Sequence, residues 1–461
     1  MKLNVFVSDR AVATLQSRDN FEYHLSYLDS ADSRDFVSLQ MPVRKASWRW
    51  PALHPFFQMN WPDDFWLSVL KDLLGPGLNV GPLNLLALVG HQFPGRVTVR
   101  NNETVETSRV APDTRALLRG KSSQEAFLEL MSRSLAGGVP GWPPKPPSPV
   151  TKALFRNASV LTERHIVKAT SVHQPFMALN QHLCMRAAAA TGLSASRTQV
   201  SEDGQILLTD RCDCEAETGH YKGFEDFCSL LGLPPDHRYD PSWERLARLT
   251  RDYVAPDGLR QATEQLAVTL LLSLALGNAD CHAKSLAFVY RNLDDVQLAP
   301  ISDMVTSLAY DLDANRAPGL HLDGQKNWNP GKGLWRYLQQ HLGLENARQR
   351  ELADLVCSSV SGQVPEVLHH ISHTPGFANL GRRMLWQWSQ GVKRLSERLT
   401  MPVPDFSVSS NESNPVAQDS PPTWLDKETS ESSAVQQKKK RRSRSDLPSA
   451  ADAAQLKLLF E

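Results

Sequence analysis

The run Gly277-Asn-Ala-Asp280-Cys-His282-Ala-Lys284-Ser285 places a carboxylate, an imidazole, an ammonium and a hydroxyl within one short segment. Twenty-three residues after Asp280, Pro300-Ile-Ser-Asp303-Met supplies a second carboxylate. Lys168 stands upstream in Arg164-His-Ile-Val-Lys168. Phosphoryl transfer needs such a set: a carboxylate to accept a substrate hydroxyl's proton, a cation near the transferred group, and oxygen ligands for Mg²⁺. Asp280 and Lys284, four residues apart on a tight loop, can face one reaction centre. The bland reading is that Asp280 caps a turn, since Gly-Asn-x-Asp is ordinary turn chemistry. The ordered set of Lys168, Asp280, Lys284 and Asp303 favours the chemical reading.

These residues need elements to hold them. Leu266–Leu276 is apolar but far shorter than the ~20 residues needed to span a bilayer, and it reads as a buried helix delivering the Asp280 loop. Leu286–Tyr290 and Asp295–Leu298 read as a hairpin between Asp280 and Asp303. Arg164–Lys168 and Gln205–Thr209 read as strands around a helix over 175–190, which ends at Gly192. The segment around 132–150, including Gly137, Gly138, Pro140 and Lys145, is Gly- and Pro-rich. It is excluded from helix and central strand, and reads as a linker or as a loop over phosphates. Near the start, Leu3, Val5 and Val7 alternate with polar or aromatic residues as in a strand, with a turn near Asp9-Arg10. Residues 36–43 predict another strand, His54–Leu70 an aromatic-rich passage entering a helix, Asn84–Val89 a short helix, and Val97–Val99 a return to the sheet. From 222 on, helices are expected at 223–231, 241–252, 261–276, 333–342, 346–359 and 378–399. His369, His370 and His373 share a helix face and read as a solvated helix rather than a metal site. The fold class is therefore α+β, with a small sheet-bearing part ahead of a mostly helical one.

Length and composition agree. At 461 residues the chain calls for two or three domains. Hydrophobic residues make up 41% and charged residues 22%, enough for a sizeable core. Lys plus Arg equals Asp plus Glu at 50 each, so the whole chain is not drawn to nucleic acid or membrane. Six scattered Cys are unlike a disulfide scaffold. Cys212-Asp-Cys214 is too closely spaced for the usual zinc pair. With no secretory pattern at Met1–Asp9, a cytoplasmic location is expected. Residues 401–461 lose periodicity and read as a disordered basic tail, with six positive charges in Lys438–Arg444.

The Asp280 segment resembles the catalytic loop of HipA-family kinases, in which Gly-Asp-x-His-x-Lys-Asn is typical. Further pieces follow in the family's order over about residues 1–400. Val37-Ser-Leu-Gln-Met-Pro-Val and His54-Pro-Phe-Phe resemble its N-terminal subdomain, and Ser134-Leu-Ala-Gly-Gly through Lys145 its Gly-rich loop. Arg164–Lys168 resembles its ATP-binding strand, Asp210-Arg-Cys-Asp213 its Glu-Arg-Phe-Asp, and Gly223–Leu233 with Arg238–Glu244 the segment before the catalytic helix.

The resemblance implies a two-lobed protein-kinase-like fold. The N-terminal subdomain would occupy 1–110, the small lobe 111–222, the helical large lobe 223–400 and the tail 401–461. It implies an ATP- and Mg²⁺-dependent Ser/Thr kinase. Asp280 would be the base and Lys284 the cation near the transferred group. Lys168, Lys145, Gly137, Gly138 and His282 would contact nucleotide. Asp303 and Ser285 would hold metal, and Ser134 would be a self-silencing autophosphorylation site. Implied partners are a translation factor such as an aminoacyl-tRNA synthetase as substrate, a helix-turn-helix antitoxin, and operator DNA through that antitoxin, with the basic run as a possible aid. No membrane partner is implied. Three departures stand out: Ser285 where Asn is usual, Gln181 where Glu is frequent, and a longer loop carrying Pro140, Trp142, Pro143 and Pro144. They keep open an alternative, a weak or dead pseudokinase acting as a binding or regulatory subunit. A small-molecule kinase is a third class.

Overall fold

The computed structural model describes residues 1–17, 22–61, 81–101, 110–119, 123–136, 159–171, 174–311 and 313–396. Among these, strands form three antiparallel sheets. The first holds β1 (Lys2–Val7), β2 (Arg10–Ser17), β3 (Tyr23–Tyr27), β4 (Trp48–Trp50) and β5 (Val97–Arg100), in the order β4-β3-β2-β1-β5. Leu3, Val5 and Val7 all point inward, as their period of two requires. Ser8 and Asp9 close the β1–β2 hairpin with φ of 48° and 63°, the left-handed conformation a two-residue turn demands. The helix α1 (Pro82–Val89), with Pro in its first turn, packs Leu83 and Leu86 into the same core.

Two sequence expectations change here. Residues 36–43 form a tight turn bridged at Ser38 and Met41, not a strand. Phe36, Val37, Leu39 and Met41 are all buried, because the turn lies between two cores: Val37 and Met41 enter the N-terminal one, Phe36 and Leu39 the large one. His54–Leu70 begins as a single tight turn at Pro55–Gln58, and its expected helix lies outside the described residues.

The second sheet is β6 (Ser159–Leu161), β7 (His165–Ala169), β8 (Thr198–Val200) and β9 (Ile206–Asp210), ordered β6-β7-β9-β8. Beneath it lie the short α2 (Thr114–Leu118) and α3 (Ser123–Ala136), whose Leu117, Phe127, Leu130 and Met131 pack on Val167 and Leu208. Ser134 therefore belongs to a helix, contrary to the loop expected there. The helix runs on through Ser134 because the Gly and Pro residues begin only at Gly137. Gly137, Gly138 and Lys145 lie outside the described residues.

The rest is mainly helical. Met177–Ala190 is α4, and β10 (Gly223–Asp226) runs into a single turn, α5 (Phe227–Leu230). The expected helix over 223–231 is thus a strand for its first half, since Gly223–Asp226 pairs with β11 (Ala287–Tyr290), which pairs with β12 (Val296–Leu298). The long helix α7 (Pro256–Leu276) follows α6 (Trp243–Tyr253) and is almost wholly buried beyond Ala262. Around it stand α8 (Lys332–Gln340), α9 (Asn346–Ser361), α10 (Val364–His373) and α11 (Ala378–Leu395). Helix α10 carries His369, His370 and His373, which the sequence placed on a helix without giving its bounds. Trp388 of α11, fully buried, donates to Thr306 Oγ1 at 2.7 Å and so ties the outer helices to the Asp303 segment. No helix among the described residues is long and apolar enough to cross a membrane.

Candidate active site

Helix α7 ends at Gly277, whose φ of 69° is the left-handed stop that lets the chain turn away at once. The next residues are pinned from several sides. Ala279 N donates to Ser307 Oγ at 2.7 Å, Asp280 N to Asn278 Oδ1 at 3.0 Å, and Leu308 N to Gly277 O at 3.2 Å. Gly319 backs the loop so closely that a Cβ there would lie 2.1 Å from Cys281 O. The Asp280 loop is therefore held in one geometry before any ligand arrives.

A cleft of about 500 Å³ opens between the second sheet and the helical part. Lys168 enters it from β7, Gln181 from α4, Asp280, His282 and Ser285 from the loop after α7, and Asp303 from the segment after β12. The Lys168 ammonium pairs directly with Asp303 Oδ1, and Gln181 Nε2 donates to the same oxygen at 2.7 Å. Asp303 has φ of 56°, a conformation a non-Gly residue adopts at a cost, which at a functional site aims the side chain. Its carboxyl faces the cleft (side chain 44% exposed) yet lies deep among protein atoms. Burial pushes its pKa up, but the Lys168 charge and the hydrogen bonds from Lys168 and Gln181 more than offset this, so the net shift is downward and the group stays ionised.

Asp280 accepts a hydrogen bond from the Tyr239 phenol, and Arg316 Nη2 lies 3.5 Å from the same Oδ1. Burial lowers the pKa of His282, with nearby Asp280 opposing it, so the imidazole is neutral at physiological pH. Its Nδ1 lies 2.8 Å from Ser285 Oγ. Asp313 closes the far wall, holding Arg316 at 3.5 Å and accepting from Gln174 Nε2 at 3.2 Å.

The structure thus brings together Lys168, Asp280, His282, Ser285 and Asp303, and it does not bring in Lys284. The Lys284 ammonium turns away from the cleft, donating to Asp226 Oδ2 at 2.9 Å and Met59 O at 2.8 Å. Asp226 is buried and also caps α5, accepting from Ser229 N at 2.7 Å, so its charge demands a cation. Ser134 lies outside the cleft: it is 5% exposed, and Gln92 Nε2 donates to both its hydroxyl and its carbonyl. Sequence reasoning missed Tyr239, Asp313, Arg316 and Gly319. Only the pairing of Arg238-Tyr239 with a segment preceding the catalytic helix hinted at any of them.

Residues here fit a nucleotide with a divalent cation. Asp303, held ionised, and the Ser285 hydroxyl are hard oxygen donors, and Lys168 stands beside them. Among the described residues no cluster of three or more His, Cys, Asp or Glu forms a metal cage. A cation here would complete its shell from phosphates and water, as Mg²⁺ usually does.

Comparison with known proteins gives concordant results. Residues 3–100 match the family described as HipA N-terminal domain, and residues 139–364 the family described as HipA-like C-terminal domain. Y4mE of Sinorhizobium fredii, named as an inferred kinase, is 27% identical over 337 residues, covering 67% of this chain and 78% of that protein. A second inferred kinase of that organism, Y4dM, is 24% identical over 277 residues, covering 56% of this chain and 63% of its own. Among solved structures, the Shewanella oneidensis HipA toxin, in complex with HipB and operator DNA, superposes with a TM-score of 0.62 at 16% identity. That match covers 86% of this chain and 97% of the other, a likeness of fold.

Proposed function

This chain belongs to the HipA family, and from that premise we propose that it is an ATP- and Mg²⁺-dependent Ser/Thr protein kinase, the toxin of a toxin–antitoxin pair. The observation that carries the reading is the meeting of Lys168, Asp280 and Asp303, from three separate elements, around one cleft. Asp280 is the group to accept the proton of the acceptor hydroxyl. Lys168 holds phosphate oxygens, and Asp303 with Ser285 holds the metal. Bound Mg·ATP supplies the phosphoryl group and the Lewis-acid charge. The protein's part is position and electrostatics: a pinned base, an ionised metal ligand and a fixed ammonium.

The family's precedent supports a translation factor, such as an aminoacyl-tRNA synthetase, as substrate, with growth arrest as the outcome. The Shewanella HipA lies with HipB and operator DNA, which supports a DNA-binding antitoxin as partner here, in the cytoplasm. The six positive charges in the run 438–444 would aid contact with DNA phosphates. Self-silencing at Ser134 would require the end of α3 to open, because the hydroxyl is buried. A second reading, a weak kinase acting as a binding subunit, draws on one observation: the Ser285 hydroxyl is already engaged by His282.

Intact mass after incubation with Mg·ATP, beside an Asp280→Asn variant and a calorimetric titration with Mg·ATP, tests these readings. A gain of phosphate by the parent alone supports the kinase. Nucleotide binding without transfer to itself or to a candidate synthetase supports the binding subunit. No gain of phosphate together with no binding of Mg·ATP refutes the kinase and favours the binding subunit.

A further inference from the structure

We propose that Tyr239 is a specificity-determining residue: its phenol holds the acceptor hydroxyl's place on Asp280 Oδ1 and keeps water from that oxygen until a protein hydroxyl displaces it. The inference rests on the kinase reading of the cleft. Tyr239 lies on the loop between the turn Pro235–His237 and α6, and enters the cleft from the helical side. It donates to Asp280 Oδ1, which is the contact an acceptor Ser or Thr must make with a general base. Arg316 approaches that oxygen at 3.5 Å, so it is covered by two groups.

The ring is held as firmly as the hydroxyl. The guanidinium carbons of Arg238 and Arg316 each lie 4.9 Å from its centroid, and Lys326 Nζ lies at 5.9 Å. Lys326 Nζ also donates to Tyr239 O at 2.9 Å, and His282 packs edge-on with centroids 5.1 Å apart. Burial first, and the Asp280 charge second, raise the phenol's pKa, so the group remains a donor at neutral pH. Water is the competing acceptor in phosphoryl transfer, and a base open to solvent wastes ATP by activating it. A phenol on Oδ1 hinders that, and rotation about χ1, the torsion that moves the phenol oxygen, clears the place at the cost of the ring's cation contacts.

Tyr239→Phe keeps the ring and its cation contacts while removing the hydroxyl. With the full chain, Mg·ATP and no protein acceptor, hydrolysis should rise about fivefold in the variant, as expected when one ordinary hydrogen bond no longer shields the base. Nucleotide affinity should stay unchanged, and Asp280→Asn should abolish the gain. A readout without nucleotide is ¹³Cζ-tyrosine NMR: the signal absent from Tyr239→Phe should shift in Asp280→Asn. Hydrolysis by Tyr239→Phe at or below the parent rate, with nucleotide affinity retained, overturns the proposal and leaves the kinase reading standing. An unmoved NMR signal overturns it as well. Failure of both proteins to bind Mg·ATP overturns the proposal and the kinase reading together.

Discussion

Glu225 is a carboxyl taken wholly out of water, and its protonation should govern how stability varies with pH. It is 0% exposed on β10, where it accepts from Leu39 N at 2.6 Å, Tyr290 OH at 2.7 Å and Ser38 Oγ at 2.8 Å. Burial pushes its pKa to about 7; the three donors offset this only in part, and neighbouring Asp226 adds to the rise. In the unfolded chain the same group titrates near 4.3. Between those values the folded protein holds a proton that the unfolded chain has released, so stability falls as pH rises through the window and levels off above it. At 1.36 kcal/mol for each pH unit, the full window amounts to about 4 kcal/mol. In Glu225→Gln the amide oxygen keeps the bonds from Leu39 and Tyr290, and the Ser38 hydroxyl reverses to accept from the amide nitrogen. The variant should match the parent near the acid end of the window and exceed it by up to about 4 kcal/mol at the alkaline end. Urea unfolding of both proteins at half-unit steps across that range measures the difference. Parallel stability curves, with a constant offset between parent and variant, would refute the argument.

Three further outcomes are expected. Lys284→Met strands the buried Asp226 carboxylate and should destabilise the protein by about 3 kcal/mol in the same unfolding assay, with part recovered by adding Asp226→Asn; a loss below about 1 kcal/mol would count against the structural role of Lys284. Asp303→Asn removes the charge that Lys168 and Gln181 hold in place, and should lower phosphate transfer on the order of 10²–10³-fold while the fold, followed by circular dichroism, stays intact. Gln92→Ala removes the side chain that holds Ser134, so amide exchange over the last turn of α3 should quicken about fivefold by mass spectrometry.

That Lys168, Asp280 and Asp303 share a cleft was legible because they come as local patterns. Asp280 follows the C-terminal stop of a helix whose apolar run is plain, and Asp303 follows a hairpin whose two strands are plain. Lys168 lies on an alternating strand paired with β9. What could not be read is long-range partnership. Lys284 has the right spacing to face the cleft, but a buried carboxylate 58 positions earlier in sequence takes its charge. Tyr239 and Arg316 reach Asp280 from loops whose register no periodicity fixes. The turn at 36–43 has the apolar content of a strand because it feeds two cores at once, and pattern alone cannot separate these cases. Ser134 was placed on a loop by its neighbours at Gly137 and Gly138, although its own side belongs to the apolar face of α3.

The position of Lys284 makes sense once β10 is considered as a joint. Its two adjacent acids point to opposite sides, as alternate strand residues must. Glu225 grips the turn at Ser38 and Leu39, while Asp226 grips Lys284, whose ammonium also takes Met59 O. The Asp226 amide in turn lies 3.4 Å from Met59 Sδ. Both grips therefore fasten the N-terminal segment to the helical part, and one of them ends on the residue four places after Asp280. The same link explains why a lysine with the spacing of a cleft cation is withheld from the cleft: the buried Asp226 charge would otherwise have no partner, at a cost larger than a surface ammonium in the cleft would return.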